Sequence, residues 1–186
     1  MLSIPSKTVV NYYNKGGSTV NLCALDLSKA FDKMDHNALF VKLMERKLPV
    51  ELLCIIKNWF RSSITCVHWD SITNPFFKLL AGVRQGGALS PCLFAIFIDS
   101  VINKIICCGK GCHFASRSVS IILYADDILL LSPSVTSLQS MFNICDEELQ
   151  SLNMYIIPIK SACMRIGPRC KQACICSTTN EVIPIP

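Results

Sequence analysis

The chain alternates between nearly continuous apolar runs and segments whose apolar residues recur every three to four positions. Val20–Leu27 is such a run, and it predicts a buried strand ending at Asp26. From Asp35 to about Lys47, Leu39, Leu43 and Met44 share one helical face, so a helix with that face inward is expected. Pro49 suits a first helical turn and opens a second helix, with Leu52, Leu53, Ile56, Trp59 and Phe60 inward. Ile64–Trp69 and Pro75–Leu80 read as a hairpin around the polar turn Asp70–Asn74. A glycine-bearing loop, Gly82–Leu89, leads to a helix capped by Ser90, with Pro91 at its first position and Gly109 past its end. Val119–Tyr124 and Ile128–Ser132 form two apolar strands flanking Ala125-Asp126-Asp127. Ser137–Leu152 is amphipathic, with Leu138, Met141, Cys145, Leu149 and Leu152 inward. Strands near Met154–Ile157 and Cys163–Ile166 complete the pattern. The order predicts an α+β fold in which an antiparallel sheet has helices packed on one face.

Composition narrows the class. Hydrophobic residues make up 51% of the 186 positions and charged residues 17%. The longest apolar runs, Cys92–Cys108 and Val119–Leu131, are interrupted by Asp99, Asn103 and Lys104 and by Asp126 and Asp127. Neither supplies the roughly 20 uninterrupted apolar residues of a membrane span, and Met1–Val10 does not read as a signal peptide. No membrane association is expected. A net charge of +5 is compatible with a polyanionic partner and equally with a mildly basic soluble protein. Twelve cysteines, without a secretion signal, read as reduced thiols of the cytosol or nucleus. Cys107, Cys108 and Cys112 with His113, and Cys170, Cys174 and Cys176, follow no paired zinc-ligand spacing and read as buried or incidental thiols.

Tyr124-Ala125-Asp126-Asp127 carries the chemistry. Two adjacent carboxylates interrupt what is otherwise one buried strand, where unpaired charge costs several kcal/mol and the two repel each other. A solvated turn tip explains a bare acidic pair, but less well one between two wholly apolar strands. A divalent cation removes the penalty. Asp26 ends another apolar strand and joins them as a third candidate ligand for a hard cation such as Mg²⁺. Successive strand residues face opposite sides, so Asp126 and Asp127 both reach one site only at a bend, and Asp126 is the firmer ligand of the two.

Leu25-Asp26-Leu27-Ser28-Lys29-Ala30-Phe31-Asp32 resembles motif A of reverse transcriptases in its non-LTR retrotransposon form. Ala81-Gly82-Val83-Arg84-Gln85-Gly86-Gly87-Ala88-Leu89-Ser90-Pro91 resembles motif B, Tyr124-Ala125-Asp126-Asp127 motif C, and Ser151–Arg169 with Lys160-Ser161 motif D. Four motifs in the family's order make the resemblance specific. It implies a polymerase palm with a remnant of the fingers over residues 1–186, acting as an RNA-directed DNA polymerase on an RNA template, a DNA primer and dNTPs. It implies two Mg²⁺ ions, replaceable by Mn²⁺, on Asp26, Asp126 and Asp127, with Lys160 facing the departing pyrophosphate. Phe31 would exclude a ribose 2′-hydroxyl, the backbone of Ser28, Lys29 and Ala30 would cradle the triphosphate, and Gln85 and Gly86 would let the chain approach nucleotide or template. Asp32 is read as structural. Ile157 and Ile159 stand where the resemblance implies polar side chains.

The resemblance also implies that most of the fingers, the primer grip, the thumb and any endonuclease lie outside these residues, so the chain alone is expected to show no useful polymerase activity and to expose apolar patches. The alternative is an inactive remnant of a truncated retroelement with at most weak nucleic-acid binding. A nucleotide cyclase, which also uses a palm-like sheet, leaves motif B and Lys160-Ser161 without a role. No obligate protein partner is inferred.

Overall fold

The structure is a computed structural model that describes residues 6–84, 86–168, 176–177 and 182–183. The chain divides into two compact units, Met1–Ser28 with Ile98–Pro186, and Lys29–Phe97. Its elements, in chain order, are α1 (Ser6–Lys15), β1 (Val20–Leu25), α2 (His36–Glu45), α3 (Val50–Arg61), β2 (Ile64–Thr65), β3 (His68–Trp69), β4 (Ile72–Thr73), β5 (Phe77–Lys78), α4 (Ser90–Cys107), β6 (Cys112–Phe114), β7 (Arg117–Val119), β8 (Ile121–Tyr124), β9 (Asp127–Ser132), α5 (Val135–Ser151), β10 (Ala162–Ile166), β11 (Cys176–Ser177) and β12 (Val182–Ile183). This is the expected α+β fold.

The unit holding both ends of the chain is built on a four-stranded antiparallel sheet, ordered β10-β1-β9-β8. Alternation along the strands separates two faces. One carries Cys23, Leu25, Ile128, Leu130 and Cys163, all buried. Helix α5, which packs on β9 and β1, buries Leu138, Met141, Phe142, Cys145 and Leu149. Ser134 caps it by accepting the Ser137 N–H. The other face is covered at one end by α1, whose Val9 and Val10 pack with Val20 and Leu131. Towards the Asp26 end of β1 that face opens, leaving Ala24 and Tyr124 exposed. Asn21, buried in the sheet, is satisfied by donating to the Ser132 carbonyl and accepting from Arg165 Nε.

In the Lys29–Phe97 unit, Asp35 caps α2 by accepting the Ala38 N–H at 2.7 Å. Leu39 and Leu43 are buried as expected, but Met44 is exposed. Helix α3 buries Phe60, which meets His36 and Phe40, while Leu53 and Ile56 are half-buried. Leu52 and Trp59, expected inward, are exposed. The two-helix pair is too narrow to cover the whole apolar arc of α3. The expected hairpin is broken into two ladders, β2 with β5 and β3 with β4. Its turn is tighter than Asp70–Asn74, because Asp70 adopts φ +55° and Trp69 already faces Ile72. Trp69, Ile72, Phe76 and Leu80 are exposed along it.

Helix α4 is long and apolar enough to cross a membrane by length and composition alone. Its Leu93, Phe94, Phe97, Ile98, Val101 and Ile105 are nevertheless buried, the stripe of a core helix. The Ser90 hydroxyl donates to the Arg84 carbonyl at 2.6 Å, so it closes the preceding loop. Gly109 follows the helix at φ +66°, as expected.

Several features of the described residues were not expected, the β11/β12 ladder among them. Helix α1 precedes the first strand. A separate hairpin, β6 with β7, turns on Ala115 and Ser116, both at positive φ. The strand expected at Met154–Ile157 is reduced to one bridge, Leu27 to Ile156, because Pro158 has no N–H to continue a ladder and starts a 3-10 turn, Pro158–Lys160.

Candidate active site

The acids gather where the two central strands end. Tyr124 faces Asp127 across a two-residue turn of Ala125 and Asp126. Ala125 sits at φ +53°, a left-handed conformation unfavourable for a residue with a Cβ. The turn supplies the required bend: Asp126 occupies the tip and is half-buried, while Asp127 is exposed at the start of β9. The β1/β9 register runs from Asn21↔Ser132 to Leu25↔Ile128, so its next step sets Asp26 opposite Asp127. By alternation both belong to the sheet's more open face.

Asp26 is held by its backbone. Its N–H donates to Ser161 Oγ at 3.2 Å, and its carbonyl accepts the Ile157 N–H at 2.9 Å. The Ser161 hydroxyl donates in turn to the Ile157 carbonyl. Ser161 is buried and was given no role in the sequence; its place directly after Lys160 was the available signal. The 3-10 turn that Ser161 closes sets Lys160 Nζ 3.6 Å from Asp26 Oδ2. Ile157 is half-buried and serves this junction through its backbone, so a polar side chain is dispensable there, while Ile159 is exposed.

Asp26 Oδ2 is buried and accepts no hydrogen bond. A carboxylate oxygen stripped of water without a donor is costly. Carboxylate oxygens such as those of Asp26, Asp126 and Asp127 are the donor type that suits a hard divalent cation such as Mg²⁺.

The nucleotide-binding candidates divide between the units. The Ser28 N–H donates to the Tyr155 carbonyl at 2.9 Å, so it is not available to a triphosphate. Lys29 is exposed at φ +49°, and Ala30 is buried. Phe31 is half-buried, with its ring 4.7 Å from that of Phe94. The Phe31 carbonyl accepts the Val83 N–H and the Met34 carbonyl accepts the Gly82 N–H, so the glycine loop is pinned to the segment after Phe31. A Cβ on Gly82 would lie 2.7 Å from the Asp32 carbonyl oxygen, whereas Gly86, exposed at φ +78°, has open space around it. Asp32 is exposed and its backbone abuts Gly82, consistent with a structural role. Gln85, Cys170 and Cys174 lie outside the described residues.

Comparison with solved structures defines the fold class. The chain superimposes on apo telomerase from Candida tropicalis, truncated from its C-terminal domain, with a TM-score of 0.65 at 15% identity, over 93% of this chain and 35% of that one. The telomerase of Candida albicans, solved with a fragment of telomeric RNA, gives 0.61 at 15% identity over 89% of this chain and 32% of that one.

The sequence assigns the family. The profile of the reverse transcriptase (RNA-dependent DNA polymerase) family matches residues 3–180, and the chain belongs to that family. It is 28% identical over 160 residues to the Retrovirus-related Pol polyprotein of the type-1 retrotransposable element R2 of Nasonia vitripennis, covering 86% of this chain and 16% of that protein. It is 33% identical over 112 residues to the RNA-directed DNA polymerase from mobile element jockey of Drosophila funebris, covering 60% and 12%. Both agree with the non-LTR retrotransposon character read from the motifs. The chain thus spans about a sixth of the length of such relatives.

Proposed function

We propose that this chain is the catalytic core of an RNA-directed DNA polymerase, which joins dNTPs to a primer 3′-hydroxyl on an RNA template. The observation that carries this reading is the β1/β9 register, whose next step sets Asp26 opposite Asp127, with Asp126 at the adjoining turn and one Asp26 oxygen buried without a donor. Asp26 and Asp126, with Asp127 as the third acid, would hold two Mg²⁺ ions, and Mn²⁺ is expected to substitute. Such ions, when bound, stabilise the attacking and leaving oxygens of a phosphoryl transfer. The chain's own groups position the reactants. The Ser161 and Ile157 hydrogen bonds fix the Asp26 backbone, the Ala125 turn presents Asp126, and Lys160 stands beside the acids as a proton donor or counter-charge for pyrophosphate. Phe31 is proposed to select deoxyribose by closing the space a 2′-hydroxyl needs, and Lys29, Ala30, Gln85 and Gly86 to contact nucleotide or template through their backbone.

The test is primer extension on RNA with dNTPs and Mg²⁺. The chain is assayed alone and in place of the matching segment of the Drosophila funebris jockey polymerase. Extension by the chimera that Asp126→Asn abolishes supports the reading. A chimera that is folded and binds primed RNA yet incorporates nothing favours the inactive remnant.

A further inference from the structure

We propose that Cys23, Cys163 and Cys176 form a binding site for one soft, thiophilic cation, Zn²⁺ or Cu⁺, lying on the opposite face of the sheet from Asp26. The three residues come from β1, β10 and β11, and each is completely buried. Their Sγ atoms all lie within 4.8 Å of one another, and Cys163 Sγ is 3.3 Å from Cys23 Sγ. Cys23 and Cys163 face each other directly in the β1/β10 register.

A single buried cysteine is ordinarily a small apolar side chain. Three sulfurs from three strands converging on one point is a different arrangement. Zinc held at about 2.3 Å from each thiolate separates tetrahedral sulfurs by roughly 3.8 Å, so the spacing here needs only small side-chain adjustments. Hydrogen bonds with Cys163 and Cys176, then burial, push the Cys23 thiol far above its ordinary value, whereas a metal ligand must be the thiolate. Cation binding therefore releases the thiol protons to solvent as the metal–sulfur bonds form, and affinity rises with pH. Sulfur donors select soft ions and leave Mg²⁺ to carboxylates.

Strands β1 and β10 carry both Cys23 and Cys163 and the approaches to Asp26 and Lys160. A cation here clasps these strands from behind and holds their register without touching the acids. The test is accordingly independent of polymerase activity.

The reduced 186-residue chain is freed of metal, loaded anaerobically with Zn²⁺ or Cu⁺ in separate arms, desalted, and analysed for metal content. One retained equivalent of either ion is expected, undisplaced by excess Mg²⁺, together with a raised melting temperature. X-ray absorption of the loaded wild-type chain is expected to count three sulfur ligands, a measurement that requires no variant to fold. Cys23→Ala, Cys163→Ala and Cys176→Ala should each weaken binding by roughly tenfold or more, while Cys54→Ala and Cys92→Ala, at exposed positions, should not. Retention of no metal, a count below three sulfurs, or undiminished binding by folded variants of the three cysteines overturns the proposal.

Discussion

Lys160 Nζ lies 3.6 Å from Asp26 Oδ2, the one described Asp26 oxygen that is buried with no hydrogen-bond donor. The lysine side chain is 66% exposed and that of the aspartate 25%, so the pair is partly screened. In this arrangement the ammonium group occupies the approach a divalent cation would take to the same oxygen. Lys160→Met is therefore expected to tighten Mg²⁺ binding modestly, by up to about fivefold, when titrated calorimetrically. If Lys160 also serves the leaving pyrophosphate, the same substitution in the jockey chimera slows incorporation by roughly 10²-fold. Weaker Mg²⁺ binding in the variant would show that Lys160 does not compete with the cation.

Asp26→Asn and Asp126→Asn are expected to lower dNTP incorporation by the chimera by roughly 10²-fold or more, since each removes a carboxylate proposed to hold the cations that stabilise the reacting phosphate. Folding should survive, because removing one of several neighbouring like charges relieves repulsion. Thermal unfolding of the variants checks the second point. Near-normal extension by a folded variant would remove that acid from the metal set.

Phe31→Ala is expected to raise the ratio of ribonucleotide to deoxynucleotide incorporation, because steric exclusion relaxes when the excluding group is removed. Losing its contact with Phe94 should also cost about 1–3 kcal/mol of stability. Phe31→Leu keeps apolar volume and is expected to recover most of the stability. An unchanged sugar ratio in Phe31→Ala, alongside lost stability, would make Phe31 a core residue only.

Two glycines of the motif B loop should respond differently to alanine. At Gly82 a Cβ would meet the Asp32 backbone at 2.7 Å, which a flexible neighbour cannot relieve, and φ is +82°. Gly82→Ala is expected to cost more than about 2 kcal/mol. Gly86 has the same sign of φ, at +78°, with no neighbour within 4 Å. Gly86→Ala should cost only about 1 kcal/mol. Denaturant midpoints of the two variants measure the difference.

Much of the fold was legible because its signals are local. A continuous apolar run ending at Asp26, another broken by Asp126 and Asp127, and the helix end marked by Gly109 each depend on residues close in sequence. The motif order was equally legible and led to the family that the comparisons establish. Helix α1 was missed although Val9 and Val10 with Tyr13, three and four residues on, trace a short apolar stripe along it. The outward Met44, Leu52 and Trp59 were misplaced because amphipathicity says which face is apolar, not how much of it a neighbour covers.

The sequence by itself determined that three carboxylates end apolar strands and that the chain is a reverse transcriptase relative. Only the tertiary structure decided which of these groups meet. Asp26 and Ser161 are 135 residues apart, and Cys23 and Cys163 are 140 apart. Their meeting depends on strand order and register, which arise from long-range hydrogen-bond ladders with no signature in a local window. The β1/β9 register sets Asp26 against Asp127 and the β1/β10 register sets Cys23 against Cys163, on opposite faces because residues along β1 alternate sides.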